Sequence, residues 1–361
     1  MPVLLTQDTS IDYDVYGHGP PLLLIGGLGF GRWAWFKQVP ALSQHFRTIT
    51  FDIRGEHSLA HGVADLTAEV VALLDQLGVK KTHVLGTSLG GFVAQELALE
   101  RPDMVDRLVL ICTSYGGVGS EPMSFQALGR MLGWGSSNPE DAARRGLEMA
   151  TSDAYRSDNP EEFHLVLRWR VADSPSLSDY SQQVMAGVRF DSSREVGNIG
   201  SPTLVIHGSD DRYVPLANAV ALAEAIPDSR LRVLDDARHL VFIEQAEEVN
   251  KEIISFLKPH KRWRPQMPPA KQRTKKLIER TRDLNKGFVS FLKPEGKQQP
   301  QEQQSAEQET KKPPKTTGTR ATRGTRESPR KEQEYPILGR IKGWLLRPVS
   351  IVRGWTRREG R

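Results

Sequence analysis

Val84-Leu85-Gly86-Thr87-Ser88-Leu89-Gly90-Gly91 is the stretch around which the rest of the chain is organised. It contains Gly86-x-Ser88-x-Gly90. A serine that points its Oγ out of the end of a sheet sits on a strained turn between a strand and a helix. Side chains two residues to either side would strike neighbouring backbone, so glycine is required at both positions. The context fits. Thr82-His83-Val84-Leu85 reads as a short buried strand, and Phe92 to Leu99 as a helix stopped by Pro102. The same glycines would also suit a strand–helix turn that holds nothing, or one that holds a phosphate at a helix N-terminus. The choice depends on whether a base and an acid follow in the right places.

Outward from this turn, strands alternate with helices. Ile11 to Tyr16 alternates like a half-buried strand, and Leu22-Leu23-Leu24-Ile25 is a continuous apolar run of the kind a central parallel strand needs. Pro40 to Leu42 suggests a short helix and Phe46 to Phe51 a strand. Leu66, Val70, Leu73, Leu74 and Leu77 fall at helical spacing, with Gly78 as the stop. Arg107 to Thr113 reads as the strand after the serine helix. The alternation is interrupted over about 116–200, which is helix-patterned and rich in Met and Trp (Met123, Met131, Trp134, Met149, Trp169, Met185). This stretch is expected to be a helical insertion over the strand ends, its apolar side chains packing between helices or lining a substrate pocket. Thr203 to Ile206 and Arg230 to Leu234 resume the strands, Leu216 to Ile226 is a helix between them, and Val249 to Leu257 a closing helix. The pattern predicts a parallel sheet with helices on both faces.

Charge divides the chain at Pro259. Residues 259–361 hold 27 Lys and Arg against 10 Asp and Glu, a net +17, whereas residues 1–258 carry a net −12. The overall +5 conceals this split. Residues 295–334 have almost no apolar side chains and cannot offset their ordering entropy, so 259–334 is expected to be a largely disordered basic linker. Apolar residues return in 335–361, where Leu338, Ile341, Leu345, Val352 and Trp355 share one helical face flanked by Arg340, Lys342, Arg347 and Arg353. A basic amphipathic segment with tryptophan suits an anionic membrane or lipid surface, the first expectation for residues 335–355. A protein partner ranks second. Nucleic acid ranks last, because no binding module accompanies the charge. The N-terminus lacks a basic start and a long apolar core, and no run of about 18 apolar residues occurs, so neither a signal peptide nor a spanning helix is expected. The single cysteine, Cys112, reads as a small buried strand residue. A cytoplasmic protein, peripheral at most to a membrane, is the resulting expectation.

A serine hydroxyl is a weak nucleophile and needs a base, which in turn needs an orienting acid. His207-Gly208-Ser209-Asp210-Asp211-Arg212-Tyr213-Val214-Pro215 follows one strand, and Asp235-Asp236-Ala237-Arg238-His239-Leu240 follows the last. Both loops lie at the carboxyl end of the sheet, where Ser88 also points. On these residues the chain resembles the α/β-hydrolase fold family over about residues 10–258. Gly86-Thr87-Ser88-Leu89-Gly90-Gly91 looks like the family's nucleophile elbow. Gly208 to Pro215 looks like its acid loop, with the acid three residues after the glycine and four before the proline, which selects Asp211 over Asp210. Ala237-Arg238-His239 with Phe242-Ile243-Glu244-Gln245 looks like its histidine segment. Residues 62–117 are most similar to enol-lactonase-like and small esterase members.

The resemblance implies a catalytic triad of Ser88, His239 and Asp211, and an oxyanion hole formed by the backbone N–H groups of Leu28 and Leu89. The family usually has a His-Gly pair before the first of these donors, and this chain has Gly26-Gly27. It also has Arg54-Gly55-Glu56-His57-Ser58 where the family often has Arg-Gly-x-Gly-x-Ser, so His57 in a glycine's place could reshape a rim loop. His83 and His207 read as structural. No metal spacing and no dinucleotide fingerprint occurs, so neither metal nor cofactor is expected. The expected activity is hydrolysis of a carboxylic ester, thioester or lactone on a small-molecule acyl substrate. Perhydrolysis of the haloperoxidase kind and carbon–carbon bond hydrolysis use the same triad. A non-catalytic module tethered to a surface by the tail is the alternative from another class.

Overall fold

The computed structural model describes residues 3–5, 10–53 and 62–258. The Arg54 to Ser58 loop, the basic linker and the 335–355 segment all lie outside these residues. Eight strands form one sheet in the order β1-β2-β4-β3-β5-β6-β7-β8. They are β1 (Val3–Leu5), β2 (Ser10–Tyr16), β3 (Pro21–Ile25), β4 (Arg47–Phe51), β5 (Thr82–Thr87), β6 (Val105–Ile111), β7 (Thr203–Gly208) and β8 (Ser229–Leu234). β1 pairs antiparallel with β2 and β2 with β4, and every pair from β4 through β8 is parallel.

The central strands are apolar on both faces because both are covered. Leu23, Ile25, Val84, Leu108, Leu110 and Val205 point to one side and pack with α2 (Val63–Gln76), α3 (Leu89–Glu100) and α9 (Leu216–Ala225). The alternate residues Leu22, Leu24, Leu85, Val109, Ile111, Leu204 and Ile206 point to the other side, toward α1 (Gln38–Leu42) and the closing helix α11 (Ala246–Leu257). The period of two sorts each run into two cores. No helix among the described residues is long and apolar enough to cross a membrane.

Between β6 and β7 the chain forms α4 (Phe125–Met131), α5 (Pro139–Ala150), α6 (Asp153–Asp158), α7 (Pro160–Ala172) and α8 (Leu177–Arg189). Four of these have side-chain N-caps, from Ser124, Asn138, Ser152 and Ser176. Of its Met and Trp residues, Met149 is buried and Trp169 packs on Trp33 and Phe36, while Trp134 and Met185 are exposed. The insertion's two feet meet in an antiparallel bridge between Gly116 and Asp191.

Three departures from the sequence expectation are local. The serine helix begins at Leu89 rather than Phe92, with Gly90 and Gly91 in its first turn. Glycine is a poor helix former, but a Cβ on Gly90 would lie 2.2 Å from the Ile25 carbonyl oxygen, so close packing on β3 overrides propensity. β6 ends at Ile111, and Cys112 turns out of the strand at φ 48° while staying buried. A short helix, α10 (Val241–Glu244), follows the last strand loop and gave no sequence signal of its own.

Candidate active site

Ser88 joins β5 to α3 with φ 52° and ψ −118°, a region that L-residues seldom occupy. Ser88 N–H donates to the Ile111 carbonyl at 2.9 Å, and its carbonyl accepts from Gly91 N–H and from Thr113 Oγ1, both at 2.9 Å. Those bonds hold the strained turn. A Cβ on Gly86 would lie 2.2 Å from the Gly90 carbonyl oxygen and one on Gly90 would lie 2.2 Å from the Ile25 carbonyl oxygen, which explains why both flanking positions are glycine. The neighbours of Ser88 in the turn are buried, while Ser88 itself is half-buried.

Asp211 and His239 arrive from the loops after β7 and β8. A Cβ on Gly208 would lie 2.4 Å from the Ala237 carbonyl oxygen, so glycine lets the two loops touch. The Asp211 side chain is fully buried. Its Oδ1 accepts from Tyr213 N–H at 2.8 Å and Val214 N–H at 3.0 Å. Its Oδ2 lies 2.8 Å from His239 Nδ1. Burial by itself would raise the Asp211 carboxyl, but the His239 charge and hydrogen bond, the neighbouring His207 and the Val214 N–H outweigh it. The carboxyl is held below its usual range. An ionised carboxylate can only accept, so His239 Nδ1 is the donor in this pair and Nε2 is the ring nitrogen left for another partner. The His239 side chain is nearly buried, at 12% exposure. Asp210, the neighbouring carboxylate, turns away and pairs with Arg238 Nε at 3.1 Å.

His207 lies behind the acid. Its Nε2 donates to the Val214 carbonyl at 2.9 Å and sits 3.5 Å from Asp211 Oδ2. Burial pulls its pKa down, so the ring is neutral with the proton on Nε2. Cys112, His207 and Asp211 bring one ligand-type atom each within 4.8 Å of one another. All three are buried, Asp211 is already saturated by His239 and backbone amides, and burial pushes the Cys112 thiol well up, which keeps it protonated. The arrangement therefore supports the carboxylate more readily than it binds a cation. The ends of two neighbouring strands create the grouping: Cys112 follows β6, and His207 and Asp211 sit four residues apart at the end of β7.

The oxyanion candidates lie beside the serine. Leu89 is the first residue of α3, so its N–H has no intrahelical partner. Leu28 follows β3 in a turn closed by Phe30 N–H to the Gly27 carbonyl at 3.0 Å, and among the described residues no hydrogen bond engages Leu28 N–H. A Cβ on Gly27 would come 3.3 Å from Ser88 Cβ, so this loop runs directly past the nucleophile position. Gly26 stands where the family usually has histidine, and a Cβ there would lie 3.1 Å from the Phe30 carbonyl oxygen. Sequence reasoning missed Tyr213, whose ring packs edge-on at 5.3 Å from the His239 ring, and Arg238, which ties the histidine loop to the Glu148 and Thr151 carbonyls of the insertion.

A doubly covered sheet with a serine turn, a buried acid and a histidine at its carboxyl end is the architecture of an α/β hydrolase fold. Residues 20–246 match the α/β hydrolase fold family, and the chain belongs to it. It is 30% identical over 258 residues to a protein of Agrobacterium fabrum provisionally named carbamate hydrolase RutD, a match covering 68% of this chain and 98% of that one. It is 29% identical to the 2-hydroxy-6-oxo-6-phenylhexa-2,4-dienoate hydrolase of Comamonas testosteroni, over 70% of this chain and 92% of that one. Among solved structures, the enol-lactonase of Burkholderia xenovorans LB400 is similar at TM-score 0.63 and 25% identity, covering 71% of this chain and 99% of that chain.

Proposed function

We propose that the protein is a serine hydrolase that cleaves a carboxylic ester, thioester or lactone through an acyl-enzyme. The buried Asp211–His239 pair at 2.8 Å carries this reading, because a histidine fixed in that tautomer is a ready base. His239 Nε2 takes the Ser88 proton as Oγ bonds to the carbonyl carbon. The carbonyl electron pair moves onto oxygen, where the Leu28 and Leu89 N–H groups stabilise it. Collapse expels the alkoxide or thiolate, which receives the proton from His239. Water then adds to the acyl-enzyme with His239 again as base, and Ser88 leaves with the proton. Asp211 stays ionised and stabilises the imidazolium at each step. Family relatives named as carbamate and dienoate hydrolases show that related chains carry names for other bonds, and carbon–carbon hydrolysis is the second reading. Rate profiles of the purified chain on p-nitrophenyl esters of increasing length, thioesters, five- and six-membered lactones and a vinylogous diketone test this. A specificity constant highest on an ester, thioester or lactone supports the first reading, and one highest on the diketone replaces it.

The same reading extends to the tail. Residues 1–258 carry the chemistry as one unit, with the insertion at about 116–200, and residues 335–355 bring the enzyme to an anionic lipid surface. The net +17 of residues 259–361 and the pair Trp344 and Trp355 support this.

A further inference from the structure

The loop that would supply the Leu28 donor is gripped by two side chains from the insertion. Gly29 N–H donates to Gln183 Oε1 at 2.9 Å, and the Gly29 carbonyl accepts from Arg170 Nη1. Gln183 lies on α8 and is 3% exposed. Its Nε2 donates to the Ile53 carbonyl at 2.9 Å, so one buried amide joins the chain after β3 to the chain after β4. Arg170 lies on α7, with its guanidinium over the Phe30 ring at 5.2 Å and the Tyr180 ring at 5.8 Å. Gly29 has φ 65°, and a Cβ there would come 2.6 Å from Arg170 Nη2. Glycine at this position thus gives both the left-handed turn and the room for the guanidinium.

The physical need for such a grip is plain. Gly26, Gly27 and Gly29 surround Leu28, and a loop with three glycines in four residues has many backbone conformations of similar energy. An oxyanion donor must be held within roughly 0.5 Å of its working position. Gly29 is bonded on its N–H and on its carbonyl, so the peptide planes on both of its sides are fixed. The first of these planes is the one that follows Leu28. The turn bond from Phe30 N–H to the Gly27 carbonyl fixes the other end.

We propose that Gln183 and Arg170 are positioning residues that set the Leu28 N–H as an oxyanion donor, so that the hole is complete only while the insertion is seated. This rests on the serine-hydrolase reading above. The insertion then does more than cover substrate: two of its helices complete the catalytic backbone.

The test uses the full chain and an alkylboronic acid. Ser88 Oγ adds to boron, its proton passes to His239, and the boron becomes a tetrahedral anion with one of its oxygens in the hole. Gln183→Met keeps side-chain length and removes both amide bonds, and Arg170→Lys keeps the charge and shortens the reach. Each variant is first shown to unfold cooperatively, and if one fails to fold the other decides alone. On a short p-nitrophenyl ester, kcat should fall between about tenfold and a hundredfold while KM stays within about twofold. The boronate inhibition constant should weaken by a similar factor. Unchanged kcat and boronate affinity in a folded variant would overturn the proposal. So would a raised KM at constant kcat, which marks a ground-state substrate contact instead. Boronate that fails to inhibit the parent, or that binds Ser88→Ala equally well, refutes the reading of Ser88 itself and is seen without either variant.

Discussion

Ser88 pays for its position with backbone strain, and removing its side chain loses no cap bond, since its hydroxyl does not cap α3. Ser88→Ala should therefore lower turnover by several orders of magnitude with little change in stability. Ser88→Gly should be equally inactive yet more stable than Ser88→Ala by about 1 kcal/mol, because glycine adopts positive φ without penalty. Thermal unfolding of the two variants compares them directly, and equal melting temperatures would show that the turn is unstrained. Asp211→Asn should cost far more activity than Asp210→Asn, since only Asp211 reaches His239; the reverse order would move the acid by one residue. His207 is one source of the pH dependence of stability, beside His83, whose buried ring is likewise held below its usual range. The folded pKa of His207 lies below the ordinary value of 6.5, so below that value the unfolded chain takes a proton that the folded protein refuses. Its contribution is complete above about pH 6.5 and declines as pH falls toward the folded pKa, by at most about 1.4 kcal/mol per pH unit. Asp211, whose carboxyl is also depressed, loses its contribution only at pH values below its ordinary 3.8. Melting temperatures from pH 7.5 to 5.0 should fall less steeply for His207→Gln than for the parent, and equal slopes would exclude His207 as a source.

The elements that hold the site differ in how openly the sequence displays them. The serine turn, the acid loop and the histidine loop were legible because each needs special turn chemistry next to an apolar strand: Gly86 and Gly90, Gly208, and His239 after β8. The grip on Gly29 was not, because Gln183 and Arg170 are ordinary polar residues on helices and their partner is more than 140 residues away. The attachment of the insertion was hidden for the same reason. Gln95, on α3, donates to the Gly91 and Ser114 carbonyls at 3.0 and 2.8 Å and accepts from Ser192 Oγ at 3.2 Å. Ser114 and Ser192 stand at the two feet of the insertion, which Ser192 N–H to the Tyr115 carbonyl also joins. Gln95→Leu takes the amide donor from the Ser114 carbonyl, while Ser192 Oγ keeps its bond to the Tyr115 carbonyl, and should cost about 1–3 kcal/mol. Hydrogen exchange should speed up across α4 to α8 more than in the sheet. Uniform loss of protection would show that the feet are not a separate point of attachment.

Across the whole molecule, the acidic residues 1–258 and the basic residues 259–361 have different tasks in this account. A chain ending at residue 258 should fold cooperatively and keep its activity on a soluble ester, because α11 closes the second core before Pro259. The full chain should sediment with anionic vesicles at low salt and much less at high salt, while the shortened chain stays in the supernatant. Replacing Trp344 and Trp355 by Ala should weaken that binding with every charge kept; vesicle binding equal to the parent's would leave charge alone as the attraction. The fold at this scale could be read from strand–helix alternation, but the substrate could not, since the packing of the five inserted helices between β6 and β7 leaves no local motif in the sequence. The most direct measurement of the central claim is labelling of the full chain by a fluorophosphonate, followed by peptide mass spectrometry. Ser88 Oγ should displace fluoride at phosphorus and appear as a stoichiometric adduct on the Ser88 peptide, lost in Ser88→Ala and slowed by orders of magnitude in His239→Ala. An unlabelled Ser88 in a folded protein, or labelling that survives His239→Ala at the parent rate, would contradict it.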